Sequence, residues 1–321
     1  MLEAQFIQLH DPAQMPLTAE VTAGLAASAA RVSPKFFYDA LGSRLFDAIT
    51  ELGEYYPTRT EAAILQARQA EIAAAVHLQL GAAPTLVDLG AGNCAKAASL
   101  FGVLQPARYL ALDISVDFLR QVLRSLQQQH PGVTMTGVGL DFSVQLALPA
   151  SLLSGPALLF YPGSSIGNFS PDEALRLLRQ AHALCDGGAL LIGVDLVKPT
   201  AVLEAAYDDA LGVTAAFNLN LLRNLNRLIG SDFNVRQWRH VALDDKAAGR
   251  IEMHLEARLA LCVQWPGGER RFAAGERIHT ENSYKWQRED FEALLRDAGY
   301  RRVQGWVDDR GWFAVLLALA A

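Results

Sequence analysis

The sequence predicts an α/β protein: a doubly wound, mostly parallel sheet ending in an antiparallel hairpin, with a second, α+β unit set into it. Three observations carry this reading. Short apolar runs alternate with helix-patterned stretches from about residue 61 to 196. That rhythm breaks over 197–286, where an asparagine-rich helical stretch gives way to alternating strands. It resumes after 287 with one amphipathic helix and two final strands. The predicted spans are 61–196 with 287–321 for the sheet, and 1–60 with 197–286 for the second unit.

The elements follow in order. Residues 18–54 are helical in pattern, with a polar break at Ser33-Pro34-Lys35. Thr58 and Glu61 have capping-box spacing before an alanine-rich run, which predicts a helix start there. TLVDLG is a short buried strand running into Gly90-Ala91-Gly92, with a helix-prone stretch beyond. RYLALDIS is a second strand with Asp113 at its end, and a helix starts near Val116. VTMTGVGLDFS is a third strand, ending at Asp141-Phe142. ALLFYPGSSIGNFS holds the fourth. At Ser170-Pro171-Asp172-Glu173 an N-cap serine, a first-position proline and first-turn acids predict the next helix. GGALLIGVDLV is the fifth strand. In the second unit AFNLNLLRNLNRLIG is helical, while IEMHLEARLALCVQW and RRFAAGERIHTENSYKW alternate like antiparallel strands. REDFEALLRDAGY is an amphipathic helix stopped by Gly299, and RRVQGWVDD with GWFAVLLALA makes the closing pair.

Composition narrows the function classes. The chain has 321 residues, 51% hydrophobic and 19% charged, with a net charge of −6, enough for a large core but not for general attraction to a polyanion. No nucleic-acid partner is expected. Cys94, Cys185 and Cys262 stand far apart with no CxxC pair, and the histidines show no ligand spacing. Neither a disulfide scaffold nor a metal is expected, and a reducing cytoplasm fits. MLEAQFIQLHDPAQ lacks the basic and apolar regions of a signal peptide, so none is expected. WFAVLLALAA has ten residues, half of what a membrane span needs. A buried strand, no membrane association and a monomer are the expectation.

Gly90–Ala95 matches G-x-G-x-x-G/A, a turn that lets backbone approach a nucleotide. Dinucleotide and S-adenosylmethionine (SAM) folds both use it, and a tight turn without a ligand is the plain alternative. Asp113, 23 residues beyond Gly90, can take ribose hydroxyls in either case. Asp141-Phe142 separates them better, because an acid can bind the adenine amino group and an aromatic can cover its ring. A closing antiparallel hairpin also suits SAM. Lys96 could pair with the methionine carboxylate, unless it is simply a solvated lysine. A hydride-transfer enzyme on NAD stays open, although no histidine–acid pair stands out for it.

Longer motifs are more specific. SPKFFYDALGSRLFDAITELGEYYPTRTE, LVDLGAGN, FYPGSSIGNFSPDEA, GVDLVKPTAVLEAAYDDALGVTAAFNLNLL and TENSYKW resemble the histidine-specific Nα-methyltransferase family over nearly the whole chain. These are SAM-dependent enzymes that make Nα,Nα,Nα-trimethylhistidine (hercynine) on the ergothioneine pathway. The resemblance implies a Rossmann-like class I SAM methyltransferase sheet with an α+β substrate domain. It implies SAM as donor, S-adenosyl-L-homocysteine as product, no metal, and L-histidine as the small-molecule substrate. It also implies roles. Gly90, Gly92, Lys96, Asp113, Asp141 and Phe142 would hold SAM. Tyr56 would line the histidine pocket, with Tyr38 near the amine. Asn168 and Tyr207 would hold the α-amino-acid end. Glu281 and Ser283, with Asn282 between them, would grip the imidazole. The turn departs from the family's pattern at Asn93-Cys94-Ala95, where small hydroxyl or acidic residues are common.

Physical reasoning supports several of these roles. Asn168 stands just before a helix start, where an amide and free N–H groups suit a carboxylate; a turn-forming asparagine is the alternative. Glu281 and Ser283 are two apart on an expected strand and so share a face. A carboxylate and a hydroxyl there can serve the two imidazole nitrogens, and such a pair rejects ligands that leave it unmatched. An edge-strand surface pair would look the same in sequence. Tyr38, Tyr56, Tyr207 and Phe217 supply rings that stabilise a quaternary ammonium at about 0.5–2 kcal/mol per contact. Core packing remains the ordinary explanation for such rings, for Phe217 above all. The expected reaction is in-line displacement at the sulfonium methyl by the unprotonated amine, oriented by Tyr38 or a water. Two other readings stand beside it: an Nα-methyltransferase for tryptophan or tyrosine, and a SAM-binding protein without catalysis. Met253 could limit the pocket's size, or be plain core.

Overall fold

The computed structural model describes residues 2–9, 17–114, 116–153 and 155–320. Three stretches interpreted above reach outside them, at Met1 and 10–14, at Ser115 and at Ala321. The strands are β1 (Gln5–Gln8), β2 (Thr85–Leu89), β3 (Arg108–Asp113), β4 (Thr134–Gly139), β5 (Ala157–Tyr161), β6 (Ala189–Asp195), β7 (Trp238–Asp245), β8 (Arg250–Ala257), β9 (Leu261–Trp265), β10 (Gly268–Phe272), β11 (Arg277–Tyr284), β12 (Arg302–Val307) and β13 (Phe313–Leu319). The α-helices are α1 (Leu17–Ala26), α2 (Ala40–Thr50), α3 (Tyr56–Leu80), α4 (Ala95–Ser99), α5 (Phe101–Leu104), α6 (Val116–Gln129), α7 (Pro171–Cys185), α8 (Thr200–Tyr207), α9 (Val213–Ile229) and α10 (Arg288–Asp297). The chain divides into two units. One comprises Met1–His10, Arg59–Leu196 and Trp286–Ala321, the other Asp11–Thr58 and Val197–Lys285.

The first unit is an eight-stranded sheet ordered β1-β4-β3-β2-β5-β6-β13-β12. The strands from β1 to β6 run parallel, and β13 and β12 close the sheet antiparallel. This is the doubly wound, Rossmann-like arrangement with the closing antiparallel pair that the sequence predicts. Buried on both faces, the central strands β2, β5 and β6 read as mainly apolar runs, and alternate residues serve opposite cores. Val87, Leu89, Leu110 and Leu112 join Leu177 and Leu178 of α7 and Phe291 and Leu295 of α10. Leu86, Tyr109 and Ala111 join Ile72 and Val76 of α3 and Leu119 and Leu123 of α6. Leu196 bridges Trp286, so the chain leaves this sheet and rejoins it at paired residues, which lets a long segment be inserted without breaking the core. In the final hairpin, Asp308 accepts the amides of Trp312 (2.7 Å) and Phe313 (2.8 Å), fixing the tight connection.

Three local expectations need correction. Gln5–Gln8 pairs in register with Thr136–Gly139, so a segment assigned by sequence to the second unit is an edge strand of the sheet. Only four residues long, it was too short for a strand signal. Thr58 and Glu61 form no capping box, because α3 already begins at Tyr56 and Glu61 turns inward. The stretch after the glycine turn is two short helices, α4 and α5, rather than one.

The second unit holds the three-stranded antiparallel sheet β7-β8-β11 and the separate hairpin β9-β10. Helices α8 and α9 pack against β7 and β8. The asparagines of α9 are fasteners. Asn218 donates to His254 O (3.0 Å), Asn220 to Asp39 Oδ1 (2.8 Å), Asn224 to Phe36 O (2.7 Å) and Asn226 to Phe233 O (2.8 Å). Each ties α9 to another part of the unit, and Asp39 Oδ1 accepts the Gly42 amide as well. Arg270 ties down the end of α1, binding the carbonyls of Leu25, Ala27 and Ser28.

Candidate active site

In an open parallel sheet, ligands bind beyond the carboxyl ends of the strands, where the strand order reverses. In the first unit that place lies beyond β2 and β5. After β2 the chain takes three left-handed residues in five: Gly90 (φ 72°), Gly92 (φ 50°) and Cys94 (φ 59°). Gly90 and Ala91 both donate to Leu112 O, at 2.9 and 3.0 Å. Asp113, at the end of β3, accepts the Gly92 amide at 3.0 Å. Asn93 Oδ1 caps α4 through the Ala95 amide (3.1 Å). Cys94 is buried, which pushes its thiol up to about 12 and makes it a packing residue.

Asp141 and Phe142 lie just past β4. Asp141 Oδ1 accepts the Ser143 amide (3.1 Å) and its hydroxyl, an Asx turn that fixes the carboxylate. The Phe142 ring stands over the turn, 3.7 Å from where a side chain on Gly90 would begin. It is edge-on to Tyr161, with centroids 5.8 Å apart. Sequence reasoning therefore brings Gly90, Gly92, Asp113 and Phe142 to one corner, with Asp141 beside Phe142.

Lys96 is not a solvated lysine. Its Nζ lies 2.6 Å from Glu61 Oε2, while Glu61 Oε1 accepts the Gly163 amide at 2.8 Å. Glu61 is 1% exposed and sits where β6 carries Gly193, at which a Cβ would fall 2.0 Å from Glu61 Oε1. Neighbouring Asp88 accepts the Tyr109 hydroxyl at 2.7 Å, yet burial pushes its carboxyl up to about 7. Its other oxygen, Oδ1, is buried with no hydrogen-bond partner among the described residues. A ligand carrying an ammonium donor and an adenosyl group fits this corner: an orphan acceptor, an open turn and an aromatic cover. Sequence reasoning missed Glu61 and Asp88. Asp88 sits two residues before Gly90 in an otherwise apolar strand, a signal that was readable.

Asn168 also belongs to this unit, closing a 3₁₀ turn over Ser165–Asn168. The helix start beyond it is not open, as the sequence argument required. Glu173 supplies a carboxylate to the Ser170 amide (2.9 Å) and hydroxyl (2.7 Å), and these contacts hold its carboxyl below the ordinary value.

In the second unit the register of β11 against β8 sets the geometry. A bulge falls between His279 and Glu281, after which Glu281 faces Met253 and Ser283 faces Ile251. Glu281, Ser283 and, by the same alternation, Lys285 share one face. Asn282 takes the other, bonding His279 at 2.8 Å, so it does not join Glu281 and Ser283. Tyr207, on α8, meets Ser283 at 2.6 Å, and Lys285 donates to both, at 2.9 Å to Tyr207 and 2.7 Å to Ser283. The Glu281 carboxylate makes no hydrogen bond among the described residues. Protein surrounds it closely enough to push it up to about 7, against the pull of the Lys285 ammonium, while its surface stays partly accessible. A recessed carboxylate of this kind is suited to an N–H donor.

Aromatic rings stand beside these groups within the second unit. Tyr207 is edge-on to Tyr55 (6.4 Å), Tyr55 to Phe46 (6.2 Å) and Phe46 to Tyr38 (5.7 Å). Tyr38 also meets Phe217 (5.8 Å), which is itself core, stacked on Phe37 at 4.6 Å. Tyr56 is 1% exposed, and the Lys198 ammonium lies 4.5 Å from its ring centroid. Tyr55, Lys198 and Lys285 were missed, although Lys285 is in phase with Glu281 and Ser283. Among the described residues no group of three or more His, Cys, Asp or Glu is placed to hold a metal, and no helix is long and apolar enough to cross a membrane.

The chain is similar to known proteins along nearly its whole length. The chain is 42% identical over 316 residues to a histidine N-alpha-methyltransferase of Mycolicibacterium smegmatis, covering 96% of each. It is 39% identical over 317 residues to the protein of that name from Mycobacterium tuberculosis, again covering 96% of each. Against ergothioneine biosynthesis protein 1 of Neurospora crassa it is 32% identical over 291 residues, 88% of this chain and 32% of that one. The family model described as "Histidine-specific methyltransferase, SAM-dependent" matches residues 17–320, and the chain belongs to that family.

Proposed function

We propose that this protein methylates the α-amino nitrogen of free L-histidine three times, with SAM as donor, giving hercynine for ergothioneine biosynthesis. The observation that carries this reading is the face of β11. There a recessed carboxylate without a hydrogen-bond partner among the described residues, Glu281, stands two residues from a buried hydroxyl, Ser283, that is itself held by Tyr207 and Lys285. An imidazole has two nitrogens to satisfy, and this pair offers one group for each. Met253, opposite Glu281 and 2% exposed, limits the room for a larger ring.

When bound, SAM supplies an electrophilic methyl group on a sulfonium sulfur. The residues expected to hold it are Gly90, Gly92, Asp113, Asp141 and Phe142, with Asp88 Oδ1 as the acceptor for its ammonium and Lys96 for its carboxylate. The rest of the work falls to the second unit. Glu281 and Ser283 fix the ring, and Tyr207 holds Ser283 in place. Tyr38 is assigned the amine, whose proton must leave before each transfer. The Tyr38–Phe46–Tyr55 rings exclude water and offer faces to a nitrogen that keeps its charge but loses its N–H donors as methylation proceeds. Widely separated, unpaired cysteines support a cytoplasmic enzyme, and we read it as a monomer, which sedimentation checks.

The test is incubation with SAM and each of the twenty amino acids, read by mass spectrometry. Mono-, di- and trimethylated histidine are expected, without comparable products from tryptophan or tyrosine. No methylated histidine would defeat the proposal.

A further inference from the structure

Lys285 is 7% exposed, one residue past β11 and on the face that carries Glu281 and Ser283. Its ammonium contacts Ser283 Oγ at 2.7 Å and Tyr207 Oη at 2.9 Å, and those oxygens are 2.6 Å apart. An ammonium donates and cannot accept, so these two contacts run one way. A serine hydroxyl has two acceptor positions and one hydrogen. Lys285 fills one position on Ser283. The Tyr207–Ser283 bond then runs in the direction the donors' acidities favour. A phenol, with a pKa near 10, is a much stronger acid than an aliphatic alcohol, so Tyr207 donates and Ser283 accepts. Both acceptor positions on Ser283 are thereby used. All that Ser283 has left for a ligand is its hydrogen.

We propose that Lys285 is a positioning residue that determines specificity: by making Ser283 a donor only, it selects the neutral imidazole, in the tautomer that accepts from Ser283 and donates to Glu281. The proposal rests on reading β11 as the imidazole site and adds which form of the ring is bound. An imidazolium would present N–H to the Ser283 hydrogen and place a second positive charge beside the Lys285 ammonium. An indole or pyrrole, with a donor and no ring acceptor, would leave the Ser283 hydrogen unmatched. The opposite polarity, Ser283 donating to Tyr207, would leave Ser283 an acceptor and favour the imidazolium, so the two arrangements differ measurably.

The experiment compares L-histidine with β-(1,2,4-triazol-3-yl)-L-alanine, whose carbon-linked ring keeps an N–H and an acceptor nitrogen but stays neutral in mild acid. Both share the amine, and both face Glu281, Tyr207 and Lys285, so those titrations cancel in the ratio of their KM values. The histidine ring protonates near pH 6.5. In the unmodified protein the ratio of histidine KM to triazole KM should rise about tenfold between pH 7.5 and pH 5.5. A flat ratio, or one that falls, overturns the proposal. In Lys285→Met, Ser283 is free to accept as well. The histidine KM should rise at least about tenfold, kcat should change much less, and the pH dependence of the ratio should disappear. A purely structural role would raise both KM values together and leave that dependence intact, which also overturns the proposal. SAM affinity and the thermal midpoint check that the variant is folded, and if it is not, the unmodified protein alone decides. Failure of the unmodified protein to methylate histidine would instead sink the functional reading beneath.

Discussion

The Lys96 ammonium and the Glu61 carboxylate are bonded at 2.6 Å, and the second oxygen of Glu61 holds the Gly163 amide at 2.8 Å. One carboxylate thus joins α3, the glycine-turn helix and the loop after β5. The lysine that the family resemblance gives to the methionine end of SAM is already paired.

That pair is unequal, since Glu61 is 1% exposed and the Lys96 side chain 34%. Lys96→Met strands a buried carboxylate and should cost on the order of 2–3 kcal/mol. Glu61→Gln keeps an acceptor for Gly163 and leaves an ammonium that solvent screens, so it should cost less than about 1 kcal/mol. Urea unfolding of the two variants measures both. Equal losses would mean that the pair is no more buried at one end than the other.

Gly193 is required for space rather than for backbone freedom. Gly193→Ala would put a methyl 2.0 Å from Glu61 Oε1. A loss of about 1–3 kcal/mol and weaker SAM binding are expected. Adding Glu61→Asp, which shortens the side chain, should restore part of the stability, as calorimetry would show.

Glu281 makes a signed prediction. Burial raises its carboxyl from 4.5 to about 7, so the folded chain holds this proton more tightly than the unfolded one. Its contribution favours folding below about pH 4.5 and is lost as pH rises to about 7. Glu281→Gln should therefore match the parent at pH 4 and exceed its stability by roughly 1–3 kcal/mol at pH 8. Activity should move the other way. The parent's kcat/KM for histidine should climb through about pH 7 as the carboxylate forms, and the variant's should be lower, without that limb.

Tyr38→Phe keeps the ring against Phe46 and Phe217 and removes only the hydroxyl. Stability should stay within about 0.5 kcal/mol, since the ring is 36% exposed. At least one of the three transfers should slow, by up to about a hundredfold. Single-turnover rates unchanged at every step would remove Tyr38 from the amine.

Much of the sheet unit was legible because strands buried on two faces announce themselves as apolar runs bounded by glycine, acid and proline. Asp113 and Phe142 could be placed beside the turn because strand ends converge in this topology. Glu61 was misread for a definite reason: its spacing from Thr58 satisfies a capping rule, and spacing does not reveal that the helix has already begun. Parity correctly paired Glu281 with Ser283. The same parity excludes Asn282 and admits Lys285, a step the motif alone did not prompt. Asn168 shows the opposite limit, since a helix start looks open until its own glutamate is seen to close it. The four fastening asparagines of α9 could be counted in the sequence, but for Asn218, Asn220 and Asn224 the acceptors lie far off along the chain.

The short strand β1 has one more implication, for handling the protein. It covers β4, where Gly137 leaves the gap that the Phe6 ring fills. Stripping off the first nine residues would bare a flat row of unpaired amides and carbonyls, a template for neighbouring molecules to add to. A truncated preparation should precipitate on concentration even where its catalytic machinery is intact.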